Sequence, residues 1–108
     1  MSNEKEDFYS DFSIQENKIF NSQIRFKIMI LLYIQKEIGI TDLMNLLKIS
    51  YGNLDHHLKV LETTGYVTKK SKIFNTRFLV HVKISKDGIK DFKEYSEKLK
   101  QMLDKIKS

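Results

Sequence analysis

Six bases stand between positions 69 and 86 with no acid among them: Lys69, Lys70, Lys72, Arg77, Lys83 and Lys86. A one-sided cationic segment is what contact with a polyanion requires, because each Lys or Arg that neutralises a phosphate releases condensed counterions. A solvated strand edge guarded against aggregation carries the same residues. Upstream, Asn53, His56 and Lys59 form a second polar set. Asn and His can hydrogen-bond base edges, and Lys can reach guanine or a phosphate. An ordinary polar helix surface has the same composition, so residue type alone leaves both sets open.

Other chemistries are poorly supplied. The chain has three histidines and no cysteine. Lacking Cys, it has no disulfide, thiolate metal site, Cys nucleophile or thiol redox sensor. His56 and His57 are adjacent, so on a helix they diverge by about 100° and cannot share one metal ion. His57 falls beside an apolar stripe and reads as half-buried and structural. His81 lies on the outward face of a strand with no carboxylate or histidine at ligand spacing. There is no nucleophile–base pair, Gly-rich phosphate loop or His/acid cluster. The expectation is no enzyme, no catalytic residue, no cofactor and no metal.

The 108 residues carry 19 Lys+Arg against 14 Asp+Glu, a formal net charge of +5. That length is one ordinary domain. The longest apolar run, Ile28 to Ile34, is too short to span a bilayer, and the N-terminus lacks the order of a signal peptide. A cytoplasmic protein is expected. Acids gather at the start, in Glu4, Glu6, Asp7, Asp11 and Glu16, so the bases further on are less opposed than the total suggests.

The elements that must position these residues follow from periodicity and capping. Residues 1–13 read as a polar, frayed segment. Ile14, Ile19 and Phe20 suggest a short helix. Ser22 is an N-cap, and Ile24, Ile28, Leu31 and Leu32 follow at helical spacing to about Gln35. This segment is apolar nearly all round, as a central core helix is. Gly39 ends it, with a very short strand over Ile38 to Ile40. Thr41 caps a second helix, with Asp42 in its first turn and Leu43, Leu46 and Leu47 as its buried face. Ser50 caps a third, running to about Thr64, with Leu54, Leu58 and Leu61 inward. Its outward arc then carries Gly52, His56, Lys59 and Thr63, flanked by Tyr51, Asn53 and Asp55. Gly65 is a left-handed C-terminal cap. Tyr66 to Lys70 is a strand, Lys72 to Thr76 a hairpin loop, and Arg77 to Ile84 a strand with Phe78, Val80, Val82 and Ile84 on its buried face. Ser85 caps a last helix to about Ile106.

Two helices joined by a short turn are the helix-turn-helix arrangement, whose second member enters the DNA major groove. The stretch from Ser50 to Val67 resembles the recognition helix and following strand of winged helix-turn-helix transcriptional regulators of the ArsR/MarR-like group. The shared features are the turn, the core His57-Leu58-Lys59-Val60-Leu61, and Gly65-Tyr66-Val67. Asn21 to Ile28 resembles the group's first core helix, and Ser85-Lys86-Asp87-Gly88 its Thr-x-x-Gly start of the last helix. The likeness spans roughly Asn21 to Leu103. It implies a mainly α fold with a small β-hairpin (α+β), a winged helix-turn-helix over 14–84, and a C-terminal dimerisation helix over 85–108. It implies binding to double-stranded DNA, usually as a dimer. The residues expected at DNA are Ser50, Tyr51, Asn53, His56 and Lys59 on the third helix, and Lys70, Lys72, Asn75 and Arg77 on the wing. The wing tip departs from the group, which often carries Arg and Gly there. Here Ile73 and Phe74 either pack back onto the domain, the favoured reading, or touch DNA as an apolar wedge.

The last helix is a candidate for pairing with a second subunit, the alternative being an amphipathic helix folded onto its own domain. Phe92, Leu99 and Ile106 recur every seven residues, with Tyr95 and Met102 between them and Ile89 and Leu103 widening the stripe. These seven residues are the expected dimer interface. A dimer spaces two recognition helices about 34 Å apart, one turn of DNA. The competing readings are a nonspecific architectural DNA-binding protein and a winged helix used for protein contact. A small-molecule effector between the terminal helix and the core is conceivable, but no residue cluster identifies one.

Overall fold

A computed structural model of the chain describes residues 17–107. The segment 1–13 and Ile14 lie outside the described residues. The elements are α1 (Gln23–Gln35), β1 (Glu37–Gly39), α2 (Ile40–Leu47), α3 (Tyr51–Thr63), β2 (Val67–Phe74), β3 (Arg77–Ile84) and α4 (Lys86–Asp104), closed by a 3-10 turn over Lys105–Lys107. β3 is the middle strand of an antiparallel sheet ordered β1-β3-β2.

Three serines start three helices. Ser22 Oγ accepts from the Arg25 N–H, Ser50 Oγ from Asn53 and Ser85 Oγ from Gly88. Each fills one of the donors a helix N-terminus leaves unpaired, worth about 1 kcal/mol. α2 differs. Its N-cap is Gly39, which makes no side-chain cap, and Thr41 already lies inside the helix. The expected Thr41 cap is displaced because β1 runs directly into α2 with no intervening loop. Asp42 does sit in the first turn, where its charge suits the helix dipole.

α1 is the central helix. Ile28, Met29 and Leu32 are fully buried, and Leu54, Leu58 and Leu61 of α3 meet them in the core. Leu43 is the buried anchor of α2, but Leu46 is 60% exposed. Leu43, Met44 and Leu47 face the core, and Leu46 falls off the edge of that short arc. The turn between α2 and α3 uses Lys48 in the left-handed conformation, and Gly65 does the same after α3 at φ 83°.

Phe20 is 1% exposed and does more than its place before α1 suggests. Its ring lies 4.8 Å from Tyr66, 5.2 Å edge-on from Phe92 and 5.4 Å from Tyr95. Residues 18–20 form a turn, not a helix. Asn17 Oδ1 fixes it by accepting from the Ile19 and Phe20 amides. Phe92 and Tyr95 are thereby buried within their own domain, and Ile89 packs against the same cluster. Of the expected dimer residues, Phe92 and Tyr95 are therefore taken up by the chain's own core, and Ile89 is half-buried. The apolar stripe has two fates: its first half closes the core, and Leu103 at the end of α4 and Ile106 in the 3-10 turn beyond it are exposed.

The hairpin is longer than expected. Its ladder runs from Val67 opposite Ile84 to Phe74 opposite Arg77, leaving only Asn75 and Thr76 as the turn. Both have positive φ, 49° and 66°, as a two-residue hairpin turn with the right twist demands. The expected loop over 72–76 is thus mostly strand. Burial stops at Val67, Val82 and Ile84. Phe78, expected to be inward, is 77% exposed, and Ile73 and Phe74, expected to pack back, are 71% and 65% exposed. The ladder carries them past the last core residue that could cover them.

Candidate nucleic-acid interface

α3 packs its leucines inward, so its other arc is set by geometry. Tyr51, Gly52, Asn53, His56, Lys59 and Thr63 are exposed on it. Ser50 stands at its head, with its Oγ accepting from the Asn53 amide at 3.2 Å and its hydroxyl proton still able to donate outward. His57 turns the other way. Its Nδ1 accepts from Arg25 Nη1 at 2.9 Å, in keeping with a structural role. Its pKa is held below the ordinary value by burial first, then by Arg25 and His56.

The bases are less unopposed than the sequence implies. Lys69 Nζ lies 3.2 Å from Asp55 and 3.2 Å from Glu62, both on α3. Partial burial pulls the Lys69 ammonium down, but its bonds to the two acids outweigh this and raise it above its ordinary value. Lys59 reaches Asp55 at 3.0 Å, and Lys59 foremost, with Lys69, holds the Asp55 carboxyl below the usual range. Lys69 therefore clamps the wing to α3.

A second tie runs to β1. Lys72 donates to Glu37 Oε2 at 2.6 Å, and His81 Nδ1 lies 3.3 Å from the same oxygen. The Lys72 bond lowers the Glu37 pKa against the opposing effect of burial, with His81 and Lys70 adding to it. His81 thus has the carboxylate neighbour that linear spacing did not offer. No local signal links Glu37 to Lys72 across 35 positions; the three-stranded sheet, with β1 and β2 on either side of β3, does. Lys70 and Arg77 are exposed on the wing, with Asn75 at its tip.

α2, the head of α3 and the wing enclose a surface groove of about 730 Å³. Thr41 and Met44 line it from α2, Tyr51 from α3, and Lys69, Ser71, Phe78 and Val80 from the hairpin. Ser71 was not singled out by sequence, and Thr41 was read only as a helix cap; nothing local marks a hydroxyl that lines a groove. Of the residues expected at DNA, Tyr51 lines this groove, whereas His56 and Lys59 line a separate shallow hollow on α3 with Val60, Thr63 and Thr64. Leu99 and Met102 are half-buried near the far end of α4. Among the described residues no cluster of His, Asp or Glu can hold a metal ion, and no helix is long and apolar enough to cross a membrane.

Comparison with known proteins fits this geometry. Residues 24–103 match a family model described as a winged helix DNA-binding domain. An uncharacterised protein of Methanocaldococcus jannaschii, MJ0432, is 39% identical over 85 residues, covering 79% of this chain and 92% of that one. A transcriptional regulator homologue from Pyrococcus horikoshii superposes with a TM-score of 0.84 at 28% identity, over 90% of this chain and 97% of that one. NadR, solved in complex with 4-hydroxyphenylacetate, superposes with a TM-score of 0.71 at 25% identity, over 95% of this chain and 72% of that one. The family's description is of a DNA-binding domain, and the Pyrococcus horikoshii neighbour is described as a transcriptional regulator homologue. With α1-β1-α2-α3-β2-β3-α4 in order and the match running across nearly all of it, this chain belongs to the winged helix DNA-binding domain family.

Proposed function

We propose that the chain is a sequence-specific transcriptional regulator that binds double-stranded DNA as a homodimer. α3 enters the major groove and presents Tyr51, Asn53, His56 and Lys59 to base edges, with Ser50 at the first phosphate. The wing lies along the backbone or minor groove through Lys70, Asn75 and Arg77, with Lys72 adding a contact tempered by Glu37. The observation that carries this reading is the surface groove shared by the head of α3 and the wing, which Tyr51 lines together with Thr41, Lys69 and Ser71.

Residues 14–84 act as the reader and 85–108 as the pairing element. The pairing surface is the outer half of α4 and the 3-10 turn after it, with Leu99, Met102, Leu103 and Ile106 as its apolar members. Dimerisation matters because one short helix and one wing contact few base pairs, and a second copy one DNA turn away multiplies weak contacts. The acids at Asp55, Glu62 and Glu37 favour specificity over architectural binding, since they offset charge that a nonspecific binder would leave free.

Selection of bound duplexes from a random pool at two salt concentrations tests the reading. A palindromic motif enriched at both, with at least about 10³-fold preference over random duplex, is expected. Equal retention of all sequences would instead identify an architectural protein, and no retention would leave a protein-contact module.

A further inference from the structure

The outer wing breaks the pattern of its own base. On the face that carries buried Val67, Val82 and Ile84, the ladder continues outward to Ile73 opposite Phe78. On the other face Phe74 stands opposite Arg77, and Leu79 opposite Lys72. Four apolar side chains thus crowd the last three rungs of a two-stranded ribbon, three of them at 65–77% exposure. A solvated strand end is made cheaply from polar residues, and contiguous exposed apolar surface marks a contact. Lys70 and Lys83 stand exposed on the rungs below, and Arg77 beside the tip. The tip itself is only the two-residue turn Asn75-Thr76.

We propose that the Ile73–Phe78 rung, with Phe74 beside the turn, is an apolar wedge that enters the minor groove and unstacks a base step, bending the duplex. This rests on the DNA-binding reading above and adds a mechanical role to the wing. Three features select duplex DNA as the occupant. The cations on the ribbon match two phosphate strands flanking a narrow groove. The two-residue turn keeps the tip slender, as a minor groove about 6 Å wide requires. Phe78 lines the groove shared with Tyr51, so the wedge lies on the α3 side of the wing. Apolar side chains inserted between base steps kink DNA by about 20–90° toward the major groove, which would wrap the duplex around α3. Pyrimidine–purine steps yield most easily, so the wing position of a selected site should be TA or CA/TG.

The test uses the full chain and a selected duplex of about 30 base pairs, labelled at both ends for energy transfer, or a random duplex if none is enriched. A second duplex carries 2-aminopurine at the wing step. Wild-type protein is expected to bring the ends closer and to raise 2-aminopurine emission. Ile73→Thr with Phe78→Thr keeps β-compatible side chains. That double variant should bind about tenfold more weakly and leave the duplex straight. Lys70→Ala should weaken binding and reduce the salt slope by about 0.9 while keeping the bend. A straight duplex with silent 2-aminopurine under the wild-type protein, or an unchanged bend under the double variant, overturns the wedge and leaves the DNA-binding reading intact. Failure to bind any duplex removes both. Self-association of the wild type that the double variant abolishes would assign the rung to a second copy and overturn the wedge. Should the double variant lose its circular dichroism, the wild-type 2-aminopurine signal decides alone.

Discussion

Arg25 Nη1 on α1 donates to His57 Nδ1 on α3 at 2.9 Å. An arginine only donates, so Nδ1 must accept, and the ring is neutral with its proton on Nε2. The same guanidinium donates through Nε to the Ile19 carbonyl at 2.7 Å and through Nη2 to Lys18 at 3.3 Å. One side chain therefore joins the turn that carries Phe20, the central helix and α3. Burial, then Arg25 and His56, hold His57 below its ordinary value of 6.5. As pH falls, the unfolded chain takes the proton first. The contribution to stability is full above 6.5 and is lost as pH drops through the lower folded value. Urea midpoints should fall between about pH 7.5 and pH 5. His57→Asn, which retains an acceptor and cannot titrate, should flatten that part of the curve; an unchanged pH dependence would detach it from His57.

Gly88 predicts a different failure. It lies in the first turn of α4, and its N–H donates to Ser85 Oγ at 2.9 Å. An added Cβ would fall on the Tyr66 carbonyl oxygen and press on Ile84. That carbonyl is not free to move, because it accepts the Ser85 amide at 2.9 Å. Alanine is normally the better helix former by about 1 kcal/mol. Here Gly88→Ala should instead destabilise by about 1–3 kcal/mol through overpacking. A thermal melt at or above the wild-type midpoint would show that the β2–α4 junction can give.

The start of α4 was legible in the sequence, as were the Ser22 and Ser50 caps and the Leu54/Leu58/Leu61 stripe. Each rests on residues within a turn or two of one another. What failed was coverage. Periodicity states that a face is apolar, not what lies over it. Phe92 and Tyr95 look like a pairing seam until Phe20, from a segment read as a short helix and found as a turn, is placed against them. Ile73 and Phe78 look like core until the ladder is counted past the last buried rung. The basic run looked unopposed because Asp55 and Glu37 stand 14 and 35 positions away from the lysines they meet. The wing's length was hidden by an Asn75-Thr76 turn that lacks the usual glycine.

Base-edge and phosphate contacts should separate under mutation. Asn53 and His56 are on the exposed arc of α3, and Lys70 is on the wing. Asn53→Ala or His56→Ala should relax preference at particular base pairs, by about 1–3 kcal/mol each. Lys70→Ala should weaken every sequence alike and lower the salt slope by about 0.9. Binding isotherms on selected and scrambled duplexes measure both. Identical effects from the two classes would mean that α3 is not in the major groove.

The outer half of α4 carries the pairing prediction. Leu103 and Ile106 are exposed within one chain, so Leu103→Glu with Ile106→Glu should leave monomer folding intact. Sedimentation should report a dimer for the wild type and a monomer for the variant. DNA affinity should then become weaker and steeply dependent on protein concentration. A wild-type monomer at concentrations that saturate DNA would move the pairing surface off α4.

Gly52 brings stability and function into opposition. It occupies the first turn of α3 on the exposed arc, and a Cβ built there meets nothing within 4 Å. Its φ is not among the positive values, which belong to Gly65 alone of the glycines. Alanine therefore fits without strain, and Gly52→Ala should raise stability by up to about 0.5–1 kcal/mol. A sequence free to gain that much and not doing so points to the surface itself. A missing side chain at the head of a recognition helix lets a DNA strand approach the backbone, where the unpaired N–H groups of the first turn favour a phosphate. A methyl group there would hold the strand off. The expected result is a more stable protein with about tenfold weaker DNA binding, close to 1.4 kcal/mol. A stabilised variant with unchanged affinity would make Gly52 a simple irregularity of the first turn and would move the phosphate contact onto the wing.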